Sequence, residues 1–137
     1  MKKIFAILVV LSLAFFNAAY AENNNDSLLK IIIGNGYEFS AKGFSSAVAY
    51  GDAKTVQAFL DLGYNPNTKV ANLPMTFYAL MNDKTDVIEE LLRAGANPNQ
   101  KWGKVTLLTS AVEKKNTEMV KVLIKNGACL NLASYNI

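Results

Sequence analysis

The chain has 137 residues, enough for one domain, with 14 basic residues, 11 acidic residues and a formal charge of +3. It contains no histidine, which removes the commonest general base and the commonest metal ligand. Its single cysteine, Cys129, cannot form a disulfide within the chain, so stability must come from packing.

The amino terminus reads as an export signal over residues 1–21. Lys2 and Lys3 form a short basic start, and Ile4 to Phe16 is almost wholly apolar. That run has the length of a signal-peptide core and falls short of the roughly 20 residues that span a bilayer. Ala19-Tyr20-Ala21 supplies the small-x-small pattern of a cleavage site, so cleavage is expected after Ala21. The alternative is an uncleaved amino-terminal helix holding a membrane-anchored scaffold. Cleavage leaves 116 residues, with 12 basic against 11 acidic, a net charge of +1. No basic field then remains to argue for nucleic acid. The short Lys-Lys start and the lack of disulfides suit a Gram-negative periplasm.

Residues 22–39 read as a polar lead-in followed by a capping helix. Asp26 is placed to cap a helix through Ser27-Leu28-Leu29-Lys30-Ile31-Ile32-Ile33, with Gly34 or Gly36 stopping it.

Residues 40–137 carry a period. Gly63-Tyr64-Asn65-Pro66-Asn67, Gly95-Ala96-Asn97-Pro98-Asn99 and Gly127-Ala128-Cys129-Leu130-Asn131 recur at a spacing of 32 residues. The same spacing aligns Ala47, Ala79 and Ala111; Val56, Ile88 and Val120; Phe59, Leu91 and Leu123; and Leu60, Leu92 and Ile124. A fixed period of this size marks stacked supersecondary units, here about 40–71, 72–103 and 104–135. Within a unit, Val87, Ile88, Leu91 and Leu92 form one apolar stripe on a helix from about Asp86 to Ala94, ended by Gly95 as a left-handed cap. A shorter helix from about Thr76 to Asn82 precedes it, and the small Ala79 lets the two approach closely. Turns of about three residues join the helices of each pair, at Gly51-Asp52-Ala53, Asp83-Lys84-Thr85 and Lys115-Asn116-Thr117.

These residues resemble the ankyrin-repeat family. The third unit carries the resemblance as Thr106-Leu107-Leu108-Thr109-Ser110-Ala111-Val112, Met119-Val120, Val122-Leu123-Ile124, Gly127-Ala128 and Asn131. The second carries it as Ala79, Val87-Ile88, Leu91-Leu92 and Gly95 to Asn99, and the first as Ala47, Gly51, Val56, Phe59-Leu60, Gly63 and Asn67. The match spans 40–131, about four fifths of the mature chain. It departs at the start of each unit, where no unit has the family's histidine and Pro74 stands at the threonine position. The tetratricopeptide repeat fits less well, having longer helices and no G-x-x-x-N turn. The resemblance implies an all-α solenoid of about three helix-turn-helix repeats with an amino-terminal capping helix.

It also implies a non-catalytic protein-binding module. No nucleophile–base pair, phosphate-cradling glycine loop or metal-ligand cluster is legible, so no cofactor, metal or small-molecule substrate is expected. Ankyrin-type arrays bind through a concave side made of finger tips and first-helix surfaces. By position this gives Lys69, Val70, Ala71 and Leu73 on one finger and Lys101, Trp102 and Lys104 on the next. Ala49 and Tyr50, Met81 and Asn82, and Glu113 and Lys114 fall at the ends of first helices. Trp102 lies in a polar finger with no obvious core to enter, beside two lysines, as an interface anchor does; the alternative is that it folds back onto the neighbouring finger as packing. Tyr64 is expected to be structural, Glu89-Glu90 to be solvated surface, and Cys129 to be a small, partly buried turn residue. Lys114, Lys115, Lys121 and Lys125 are expected on the outer face of the last unit. Short exported bacterial ankyrin proteins similar to this one imply an accessory role to catalase in oxidative-stress protection. The alternative role is an immunity protein that inhibits a toxin.

Overall fold

The computed structural model describes residues 24–130. The segment 1–21 read as an export signal, and Asn131, lie outside them. The described chain opens with a helix, α1, over 24–34. Three helix pairs follow: α2 (Ala41–Tyr50) with α3 (Ala53–Asp61), α4 (Met75–Met81) with α5 (Thr85–Arg93), and α6 (Leu107–Glu113) with α7 (Thr117–Lys125). Two-stranded fingers separate the pairs, β1 (Lys69–Val70) with β2 (Leu73–Pro74), and β3 (Lys101–Trp102) with β4 (Val105–Thr106).

The glycine column works as the sequence requires. Gly95 has φ +99°, its amide donates to the Leu92 carbonyl at 3.0 Å, and the Ala96 amide donates to Leu91 at 2.9 Å. These two bonds satisfy the last carbonyls of α5, and they need a left-handed residue that glycine adopts without a Cβ clash. Gly63 and Gly127 repeat the arrangement after α3 and α7. The short turn inside each pair also needs a left-handed residue. Gly51 fills it in the first unit, but Asp83 and Lys115 fill it in the next two, each at φ +56°.

The helices pack in two rows. First helices α2, α4 and α6 contact in series, second helices α3, α5 and α7 do the same, and each pair packs internally. Ala47, Ala79 and Ala111 are fully buried, and their small side chains let the rows close. Phe44, Val56, Phe59, Ile88, Leu91, Leu107, Met119 and Leu123 fill the core between the rows. Burial of such a stripe at about 25 cal/mol per Å² of apolar surface is what each unit lacks alone.

The first unit has a cap at its amino end. Ile32 of α1 is fully buried in the core, and Leu28 and Ile31 pack against it. The Asn35 side chain donates to the Thr55 hydroxyl at 2.8 Å and to Asp52 at 3.3 Å, tying the end of α1 to the start of α3. Asp26 is not the cap expected of it, because the helix is already formed at residue 24 and Asp26 lies inside it. Of the two glycines placed to stop α1, Gly34 is still helical and Gly36 turns left-handed, at φ +84°.

Helix starts differ among the units. Ser40 caps α2 through the Gly43 amide at 3.2 Å. Pro74 precedes α4 and provides no side-chain cap. Thr106 and Thr109 form a reciprocal box at α6, with amide-to-hydroxyl distances of 3.0 and 3.2 Å.

Candidate partner-binding surface

The fingers are built at the asparagine turns. The Asn65 side chain accepts from the Asn67 amide at 2.9 Å, and Asn97 does the same for Asn99 at 2.9 Å. These side-chain turns redirect the chain from the second helix into the finger. Asn67 then reaches across to the next unit, accepting from the Asn97 amide at 2.9 Å and donating to the Gly95 carbonyl at 3.4 Å. Asn99 accepts from the Cys129 amide at 2.7 Å and donates to the Gly127 carbonyl at 3.4 Å. The fingers are thus held at the pitch of the helix stack.

Each finger is a tight antiparallel hairpin, pairing Val70 with Leu73 and Trp102 with Val105. Ala71 and Asn72 turn the first, both at positive φ, and Gly103 at φ +62° turns the second. Lys69, Val70 and Ala71 are exposed on the first finger, and Leu73 is half-buried against the core. Lys101, Trp102 and Lys104 are exposed on the second. Trp102 finds apolar support on a helix of its own unit and not on the neighbouring finger. Its ring packs on Phe77 of α4 at a centroid distance of 6.2 Å and an angle of 52°, yet it remains 46% exposed. Phe77 is itself buried, so the tryptophan rests on the core and shows its remaining surface to solvent. The period gave no sign of this contact, because the matching positions of the other units are Ser45 and Thr109.

The first-helix positions lie at the ends of their helices. Tyr50 closes α2 and is 76% exposed; Met81 closes α4 and is 54% exposed. Ala49 is half-buried, and Asn82 and Glu113 are exposed. Asn82 is turned back, its side chain donating to the Tyr78 carbonyl at 2.8 Å. Lys114 reaches from the third unit to the second, pairing with Asp83 at 3.1 Å and donating to the Met81 carbonyl at 3.4 Å. A hollow of about 290 Å³ lies beside Tyr50, lined by Tyr37, Glu38, Lys42 and Ser46 with Gly36 and Gly43. A Cβ at Gly43 would collide with the Glu38 carbonyl, so the wall of the hollow depends on that glycine. Burial, then Asp52, then Tyr50 hold the Tyr37 phenol above its ordinary range.

Other expectations are sorted by the same geometry. Tyr64 is structural, with ring centroids 5.3, 5.2 and 5.0 Å from Phe39, Phe44 and Phe59. Cys129 is exposed, not partly buried, and it is held at the turn through its amide, which donates to the Asn99 side chain. Glu89 and Glu90 are more than solvated surface: Glu90 pairs with Arg93 at 3.1 Å and Glu89 with Lys125 of the next unit at 3.5 Å. Of the four lysines expected on the outer face, Lys114 and Lys125 instead bridge back to the second unit.

Among the described residues no group of acidic or sulfur ligands could hold a metal, and no helix is long and apolar enough to cross a membrane. The fingers and first-helix ends carry exposed aromatic, aliphatic and lysine side chains at the spacing of the repeat. A comparison with curated proteins returns no match. The family model for ankyrin repeats, in three copies, matches residues 44–134. With that match over most of its length, the chain belongs to the ankyrin-repeat family.

Proposed function

We propose that the protein is a non-catalytic binding module that grips a protein partner with its fingers and first-helix ends. Ankyrin repeats generally mediate protein–protein interaction. The observation that carries the reading is Trp102, supported from beneath by Phe77 and half exposed between Lys101 and Lys104. A rigid amphipathic ring that keeps its outer face in water loses little side-chain freedom on binding, as an interface anchor requires. Tyr50 and Met81 extend the apolar contact along the first helices, and Val70 and Leu73 extend it along the first finger.

The proposed location is the periplasm, after removal of residues 1–21, and the proposed role is accessory to catalase in oxidative-stress protection. Both rest on the sequence: Lys2-Lys3, the apolar run and Ala19-Tyr20-Ala21 for the first, and the likeness to short exported ankyrin proteins for the second. Capture of partners from the periplasm with wild type and Trp102→Ala tests the surface. Selective loss of one protein from the Trp102→Ala capture is expected. Equal recovery of the same proteins by both would remove the surface from consideration, and recovery of a toxin would replace the catalase role with inhibition. The intact mass of the exported protein tests location, since retention of residues 1–21 would favour a membrane-anchored scaffold.

A further inference from the structure

The far side of the third helix pair presents the face with which inner pairs pack on their neighbours. Val48 and Leu80 occupy one column at 0 and 3% exposure, whereas Val112 in the same column is 57% exposed. Leu92 is 7% exposed and its counterpart Ile124 is 43% exposed. Val105, in the column of the half-buried Leu73, is also exposed. These exposed side chains stand at the positions by which the second unit packs on the third, and together they make an apolar far face on α6 and α7.

Its charges decide what kind of helix. At the junction between the second and third units, the second presents carboxylates, Asp83 and Glu89, to Lys114 and Lys125 of the third. On the far face those two columns carry Lys115 and Lys121. Lys121 has a neighbour on its own helix, Glu118, at 3.8 Å with both side chains highly exposed, a pair that water and salt largely screen. The junction polarity is therefore reversed. A neighbour like the third unit itself, with lysines at the facing positions, would be repelled. So would a second copy packed far face to far face, which sets lysine against lysine.

We propose that the far face of α6 and α7 docks an amphipathic helical segment of another protein, its apolar stripe flanked by carboxylates that meet Lys115 and Lys121. The face belongs to the last helix pair of the described residues, and its use does not depend on Trp102 or on the fingers. Helix-in-groove docking of this kind reads apolar anchors for affinity and flanking charge for choice of partner.

The test uses the full chain and two synthetic helical peptides with one shared leucine–alanine stripe, flanked by Glu in one and by Lys in the other. Binding is followed by fluorescence anisotropy at low and high salt. The Glu peptide is expected to bind roughly fivefold or more tightly than the Lys peptide at low salt, with the gap narrowing as salt rises. The double variant Lys115→Glu/Lys121→Glu should reverse the order. Val112→Asp should abolish binding while circular dichroism stays unchanged, since the residue is exposed. Equal affinities, no binding of either peptide, or an order that survives charge reversal would overturn the proposal. A dimer in sedimentation that Val112→Asp converts to monomer would assign the face to a second copy instead. Binding that appears only after deletion of residues 131–137 would assign it to that segment. Either result also overturns the proposal.

Discussion

The Asn67 side chain clamps the backbone of Asn97 in the following unit, accepting its amide at 2.9 Å while donating to the Gly95 carbonyl at 3.4 Å. One side chain therefore serves both a donor and an acceptor that the helix end and turn leave open. Asn67→Ala should lower stability by about 1–2 kcal/mol, because two backbone groups lose their partner. Asn99→Ala should do the same through the Cys129 amide. Urea denaturation of the two variants and the wild type measures both effects, and unchanged midpoints would show the bonds to be idle.

The left-handed column makes an opposite forecast. Lys115 sits at φ +56°, where a side chain with a Cβ is strained by roughly 1–2 kcal/mol. Glycine relieves that strain but adds freedom to the unfolded chain. Lys115→Gly should raise stability by about 0.5–1 kcal/mol. Gly51→Ala in the same column should lower it, since φ is +79° and the new Cβ would press on the Lys84 side chain. The two changes in denaturation midpoint should have opposite signs.

Position along the stack sets the cost of a truncated aliphatic residue. Leu92 and Ile124 share a column, but α7 covers the side of α5 that nothing covers on α7 among the described residues. Leu92→Ala should cost about 2–4 kcal/mol, and Ile124→Ala less than about 1 kcal/mol. A comparable loss at both sites would mean that the far face is already covered in the isolated protein.

Alkaline pH should weaken the fold through Tyr37. Its phenol is raised above the ordinary value of 10.0, so the folded state holds that proton more tightly than the unfolded chain. The contribution is complete below the unfolded pKa and is lost as pH rises through the folded one. Stability should therefore fall above about pH 10 more steeply in wild type than in Tyr37→Phe. Denaturation midpoints at pH 8 and at pH 10.5 give the comparison, and parallel losses would contradict it.

Much of the fold was legible because its geometry makes chemical demands that recur. A left-handed helix end asks for glycine, closely packed helices ask for alanine, and an inter-unit clamp asks for asparagine, so Gly63/Gly95, Ala47/Ala79 and Asn67/Asn99 stand out by period alone. The candidate surface was legible only as far as the period places it. The support of Trp102 by Phe77 was hidden because Phe77 breaks its column. The pairs Lys114–Asp83 and Lys125–Glu89 were hidden because a period locates residues along a unit and does not say which neighbour a long side chain reaches. Asp26 misled as a cap because the α1 pattern has a polar lead-in that itself takes up helix.

The most direct check on partner binding through the fingers is the affinity of a purified, captured partner for wild type, Trp102→Ala and Lys101→Glu/Lys104→Glu, with folding verified by circular dichroism. Loss of a half-exposed aromatic anchor should weaken binding by roughly tenfold or more, and the lysine reversal should shift the on-rate and its salt dependence. Identical dissociation constants for all three folded proteins would contradict the fingers as the binding site.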